Sequence, residues 1–202
     1  MIAAIVLAAG RSTRFGAPKV VAPLAGTSLV RHVVERLQES SIDELLVVAG
    51  DEADDIGRAI NGTRARLAIN ANPSAGLSES LRIGLHAVEA DAEAILVALG
   101  DQPLIDPGVV TLMVAAWRGG RGKIIVPVYN GERGNPVLFD ASLRAELMLL
   151  EGDHGARDLF DTHSSYVYRL IVDLPAPRDV DTQEDLRDVE RALGVGDQGK
   201  SR

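Results

Sequence analysis

The chain has 202 residues, 46% hydrophobic and only 3% aromatic, with a formal net charge of −8. Its length suits one sizeable core, and its acidic balance excludes broad nucleic-acid binding, which needs a basic face. The absence of cysteine excludes disulfides, thiolate metal sites and a cysteine nucleophile. The apolar run Ile2–Leu7 predicts a buried strand. It is too short for a membrane span and has no basic leader before it. No later run approaches the roughly 18 apolar residues that a span needs. The expectation is a soluble, cytoplasmic protein without a membrane partner.

After the first strand comes a loop of small residues with three cations, Arg11, Arg14 and Lys19. Thr27 or Ser28 caps a predicted helix over 28–39, with Leu29, Val33, Val34 and Leu37 at helical spacing. A strand over 44–49, an acidic helix over 51–60 and a strand over 64–69 follow. Residues 70–76 carry the signals of a loop. A helix over 78–88, a strand over 94–99 and a helix over 107–118 complete four strand–helix alternations. Such alternation implies a doubly wound, three-layer α/β fold with a mostly parallel sheet. Beyond residue 119 the rhythm changes. Strands are predicted over 123–128, 136–139 and 166–172, and helices over 140–150, 154–162 and 182–193, the last capped by Thr182. With no linker or repeat, the expectation is one domain over 1–193 followed by a disordered tail over 194–202. Residues 1–118 would form a nucleotide-binding half and residues 119–193 the acceptor-binding half. Nothing in the pattern specifies an oligomer.

Open α/β sheets bind ligands at the carboxyl ends of their strands, so the loop after Leu7 is the first candidate site. It fails the P-loop pattern: Gly10 and Gly16 are six apart, and Lys19 precedes Val20. It fails the dinucleotide fingerprint, because Ser12 stands where the second glycine belongs. Small residues still let backbone N–H groups approach an anion, and the cations neutralise it. The alternative is a plain strand–helix loop with exposed arginines.

Residues 7–19, LAAGRSTRFGAPK, resemble the L-A-A/G-G-x-S/G-x-R-M/F-G-x-x-K signature of the MobA-like nucleotidyltransferases. Five more motifs are similar and in order. They are Gly76–Leu85, Leu99–Pro103, Gly134–Val137, Gly152–Arg157 and Asp179–Thr182, the last departing from the family in having Gln183 where proline is usual. The Ala8-Ala9-Gly10 step resembles the molybdopterin cytidylyltransferase branch rather than the guanylyltransferase branch.

The resemblance implies a Rossmann-like nucleotidyltransferase fold. It implies transfer of CMP from CTP to the phosphate of molybdopterin or its molybdenum complex, with Mg²⁺ (or Mn²⁺) and release of pyrophosphate. Another NTP with another phosphorylated acceptor, such as a sugar phosphate, or a non-catalytic nucleotide-binding accessory protein, are the other readings. Leu7, Ala8, Ala9 and Gly10 would hold the nucleotide. Arg14 and Lys19 would neutralise the triphosphate in catalysis, and Arg11 stays either a ligand or a solvated side chain. Asp101 ends a strand on the same sheet edge; it either caps the turn before Pro103 or offers the metal a carboxylate, and the resemblance implies the latter and a catalytic role. Asp179 and Asp181 are the further metal candidates, with helix capping as the alternative. The resemblance also implies base recognition around Gly76, Ser78 and Ser80, one serine capping and the other touching ligand. The second half should carry the acceptor, with Asn135 and the turn over 152–157 as candidates; His154 in that turn either contacts substrate or is a structural or exposed side chain.

Overall fold

The computed structural model describes residues 1–10, 15–152 and 157–194. In chain order the elements are strand β1 (Ile2–Ala8), the two-residue strands β2 (Pro23–Leu24) and β3 (Thr27–Ser28), and helix α1 (Leu29–Gln38). Strand β4 (Glu44–Ala49), helix α2 (Ala53–Ala59), strand β5 (Arg66–Ile69), helix α3 (Leu77–Ala87), strand β6 (Ala94–Leu99) and helix α4 (Pro107–Arg118) continue the alternation. The second part holds β7 (Ile124–Tyr129), β8 (Glu132–Arg133), β9 (Val137–Asp140), the short helices α5 (Arg144–Leu147) and α6 (Arg157–Thr162), β10 (Val167–Val172) and α7 (Gln183–Ala192).

The sheet runs β10-β7-β9-β6-β1-β4-β5, with β8 beside β7. β1 lies parallel to both β4 and β6, and β10 is parallel to β7. β9 is antiparallel to both β6 and β7, so it joins the two parallel portions into one mixed sheet. The expected three-layer, mostly parallel α/β fold is therefore present.

β1 explains the layering. All seven of its residues are buried. Side chains alternate across a strand, so Ile2, Ala4, Val6 and Ala8 face the core shared with α1, α2 and α4. Ala3, Ile5 and Leu7 face the core shared with α3 and with Leu143, Leu147, Leu159 and Phe160. A strand covered on both faces reads as a continuous apolar run. Among the described residues no helix is long and apolar enough to cross a membrane.

Ser28 caps α1, its hydroxyl accepting from the Arg31 N–H at 3.4 Å. Thr182 caps α7 in a full capping box with Asp185. Elsewhere the structure departs from the expectation. The helix expected over 140–150 is a 3₁₀ turn at Ala141–Leu143 followed by the single helical turn of α5. There Asp140 bends the chain, its carboxylate accepting from the Ser142 N–H at 2.9 Å. The hairpin β2–β3 and the strand β8 have no counterpart in the sequence reading, because two residues are too few to show a period. The hairpin turns at Ala25 and Gly26, both at positive φ (50° and 89°), as a tight two-residue turn requires. The tail expected to be disordered lies, beyond Gly194, outside the described residues.

Gly84 sets how closely α3 approaches the sheet. A Cβ there would lie 2.5 Å from Ile5 Cγ2 and 3.2 Å from Val48 Cγ2, both on buried β-branched side chains. Gly84→Ala gains about 1 kcal/mol of helix propensity but overpacks a closed interface, at a cost of about 1–3 kcal/mol. The expected outcome is a lower urea midpoint. An unchanged or higher midpoint would mean that α3 lifts freely from β1.

Candidate active site

Three strand ends meet at the carboxyl edge of the sheet, and glycines let them meet closely. A Cβ on Gly100, just after β6, would lie 2.9 Å from Ala8 Cβ, and the Gly100 N–H donates to the Leu7 carbonyl at 2.9 Å. A Cβ on Gly50, just after β4, would lie 3.2 Å from the Ala9 carbonyl oxygen and 3.0 Å from Pro73. Leu7, Ala8 and Ala9 are buried where β1 leaves the sheet, and Gly10 is exposed. The small residues of the first motif thus serve close packing of strand exits as well as access for a ligand.

A third, smaller core brings the far end of the chain to this edge. Phe15, Ala22, Leu24 and Leu29 pack with Val180, Leu186 and Val189. The loop after β1 is anchored through Phe15, and the segment before α7 through the fully buried Val180. Val180 also donates its N–H to the Asp101 carbonyl at 3.0 Å. Because side chains alternate along extended chain, burying Val180 turns Asp179 and Asp181 the other way, towards Asp101.

The result is an ion cluster assembled from distant sequence. Lys19 Nζ lies 2.6 Å from Asp101 Oδ2 and 2.6 Å from Asp181 Oδ1. The side chains of Lys19 and Asp101 are only 12% and 19% exposed, so solvent screens their pairing weakly. Burial works against the Lys19 charge, but the hydrogen bonds and charges of Asp101 and Asp181 outweigh it and raise its pKa. Beside them Gln102, 4% exposed, donates from Nε2 to Asp179 Oδ1 at 2.6 Å. Desolvation pushes the Asp179 carboxyl up; the Gln102 hydrogen bond opposes this, and the neighbouring charges of Asp101 and Asp181 add to the rise.

The geometry decides the capping alternatives. Asp101 does not cap the turn before Pro103: Oδ2 goes to Lys19, and Oδ1 is buried with no hydrogen-bond partner among the described residues. Thr182 and Asp185 cap α7, while the Asp181 carboxylate turns to Lys19. A buried, unsatisfied carboxylate oxygen is costly unless something fills its lone pairs. Together with Asp181 and Asp179 it offers the hard oxygen donors that suit Mg²⁺ or Mn²⁺. Among the described residues, no three His, Cys, Asp or Glu side chains form a cage that would hold a metal unaided. Mg²⁺ is normally held by one or two carboxylates, with phosphate oxygens and water completing the shell, so the donor set fits.

The other expected residues lie at the same edge or beyond the described chain. Gly76, at φ 95°, is the N-cap of α3 and has no side chain to offer, so neither serine holds the expected capping position. Ser78 and Ser80 are both buried. The Ser78 N–H donates to the Gly152 carbonyl at 3.2 Å, joining α3 to the motif at 152–157. The Ser80 hydroxyl accepts from Asn70 Nδ2 at 3.0 Å. Asn135 precedes a cis peptide bond to Pro136, and its carbonyl accepts from the Tyr129 hydroxyl at 3.3 Å. Arg11, Arg14 and His154 lie outside the described residues. The grip of Gln102 on Asp179, the bond from Asn70 to Ser80 and the packing roles of Gly50 and Gly100 were not evident from sequence. Gln102 and Asn70 are uncharged, and only their burial reveals them.

Residues 4–167 match the family model of the MobA-like NTP transferase domain. Over 196 residues the chain is 31% identical to nicotine blue oxidoreductase from Paenarthrobacter nicotinovorans, covering 92% of this chain and 94% of that protein. It is 33% identical over 124 residues to a probable molybdenum cofactor guanylyltransferase from Haloferax mediterranei, covering 60% of this chain and 58% of that one. The fold is similar to the crystal structure of Rv0371c from Mycobacterium tuberculosis H37Rv, with TM-score 0.83 and 30% identity over 94% of this chain and 97% of that one. Rv0371c in complex with manganese gives TM-score 0.78, again at 30% identity, over 95% and 98% of the two chains.

Proposed function

The chain belongs to the MobA-like NTP transferase family, and on that premise we propose that it transfers CMP from CTP to the phosphate of molybdopterin or its molybdenum complex, releasing pyrophosphate. The observation that carries this reading is the Lys19–Asp101–Asp181 cluster at the carboxyl edge of the sheet, with Asp101 Oδ1 left unsatisfied. Nucleotidyl transfer asks little covalent chemistry of a protein. It asks for alignment of an acceptor oxygen with the α-phosphorus and for fixed positive charge as the leaving group departs.

Lys19 supplies such a charge. Its ammonium is held in place before substrate arrives, so little reorganisation is needed as charge develops on the phosphate oxygens. Asp101 and Asp181, with Asp179 beside them, would hold a divalent cation; such an ion neutralises triphosphate oxygens. The manganese complex of Rv0371c supports a divalent ion in this fold. The backbone at Ala8–Gly10 would carry the nucleotide against β1, with Gly76, Ser78 and Ser80 on the base side. Arg14 would add a second cation on the phosphates. The wall over 119–193, with Asn135 and His154, would take the acceptor. The acceptor phosphate oxygen bonds to the α-phosphorus as the bond to the bridging oxygen breaks, and pyrophosphate leaves with that electron pair. Ala9 in the first motif, where the guanylyltransferase branch usually has glycine, supports cytosine as the base.

A pyrophosphate-release screen of the four NTPs with Mg²⁺, with and without molybdopterin, tests this. The expected result is release that requires both partners, with CTP preferred over GTP by about tenfold or more. Release with a sugar phosphate alone would overturn the acceptor. Reduction of nicotine blue without pyrophosphate release would instead align the chain with the relative that carries that activity in its name.

A further inference from the structure

Among the described residues the sheet ends in two edge strands, β10 and β5, and the sequence at the β10 edge is self-complementary. β10 is the outermost strand; it pairs with β7 on one side and, among the described residues, with no strand on the other. The Tyr166 carbonyl accepts from the Lys123 N–H, at 2.9 Å on the β7 side. Backbone direction alternates along a strand in a parallel pair. Within β10, Arg169 and Ile171 therefore turn their N–H and C=O groups outward, and Asp173 directly follows the last strand residue, Val172. The side chains of the same three residues are exposed, Ile171 at 77%. The alternate residues Tyr168, Leu170 and Val172 pack inward on the core shared with α4.

We propose that this edge pairs antiparallel with the same edge of a second copy, about a two-fold axis at Ile171, to form a homodimer with a continuous sheet across the interface. A two-fold contact brings each patch against itself, so the register must be self-complementary. Centring on Ile171 sets Ile171 against the partner's Ile171 and Arg169 against the partner's Asp173, and the charge pair occurs twice. The central Ile171 pair falls on outward-facing backbone, a position that exchanges two hydrogen bonds in an antiparallel ladder, and Arg169 meets the partner's Asp173 just past its strand end.

Charges on an edge strand usually block pairing by repulsion. Here opposite charges stand equidistant from an exposed isoleucine, which favours it. The flank is also apolar. Leu112, 57% exposed on α4, and Leu174 line, with Ile171, an open groove of about 610 Å³ beside the strand. The proposal does not depend on which nucleotide the active site takes.

Sedimentation equilibrium of the full chain, wild type against Arg169→Asp, Asp173→Arg, the double exchange and Ile171→Lys, tests it. Wild type is expected to dimerise. Each single charge reversal creates two like-charge contacts and is expected to weaken the dimer by about tenfold or more. Ile171→Lys sets two ammonium groups together at the axis and is expected to leave monomer. The double exchange restores both ion pairs in the same register and is expected to bring the dimer back to within about threefold of wild type. Circular dichroism melts of all variants separate lost pairing from lost folding, and the restored double exchange does so within one assay. A monomeric wild type at about 100 µM, including one that pairs only with some other protein, would overturn the proposal. So would a dimer indifferent to all four changes, or a folded double exchange that stays monomeric.

Discussion

Asp101→Asn is expected to lower pyrophosphate release by about 10³-fold or more at saturating nucleotide and divalent cation, with the fold unchanged. Asparagine has nearly the same shape, and the bond from the Val180 N–H goes to the Asp101 backbone carbonyl, so the link between β6 and the segment before α7 survives. Lys19 keeps Asp181 as an ion-pair partner at 2.6 Å. Removing one carboxylate from a group that also holds Asp179 and Asp181 relieves like-charge repulsion, which offsets part of the lost pairing with Lys19. What is lost is the second carboxylate oxygen, at the buried Oδ1 position that has no partner among the described residues. Turnover and cation dependence should therefore fall together, while the thermal midpoint moves by only a few degrees, equivalent to about 1 kcal/mol. Near-normal turnover in the variant would remove Asp101 from the mechanism.

The way this cluster forms explains what the sequence made legible. The four strand–helix alternations were readable because each strand is an apolar run and each helix has a periodic face. Lys19 was readable as a cation conspicuous in an acidic chain and Asp101 as a carboxylate on the same sheet edge, while the metal roles of Asp101 and Asp181 were implied by the resemblance. The direct contact of Lys19 with Asp181 was not readable. Lys19 and Asp181 are 162 positions apart, and what joins them is packing of Phe15 and Leu24 against Val180 and Leu186, residues that look like any other apolar residues. Gln102 passed as a letter in a motif; only in three dimensions is it a buried amide that grips Asp179. Ser78 and Ser80 failed as helix caps because α3 begins at Leu77 on a glycine of positive φ, a boundary that serine content does not reveal. The helix expected over 140–150 failed for the opposite reason: helical spacing was present, but Asp140 caps a tight turn first.

Lys19→Ala is expected to lower kcat by about 10²–10³-fold with a smaller change in KM, because a fixed cation acts most strongly where charge develops. Lys19→Arg should recover only part of that loss. A planar guanidinium in place of a compact ammonium reaches the same carboxylates with a different geometry. The variant also tests the electrostatics. Lys19 holds a raised pKa despite burial, so it stays an ammonium throughout the neutral range. Its stabilising contribution is present below the unfolded lysine pKa and fades only as pH rises through the higher folded value. Wild-type kcat should therefore show no limb from Lys19 between about pH 6 and 9. Without Lys19, Asp101 and Asp181 lose the ammonium they share, with the Asp179 carboxyl close by. The variant should then be least stable at neutral to high pH and regain stability as the carboxyls protonate on acidification. A lysine that only bound nucleotide would show the loss in KM and leave kcat intact. A lysine that only neutralised the carboxylates would lose stability and keep its turnover. The proposed role predicts that kcat falls even where the variant is fully folded.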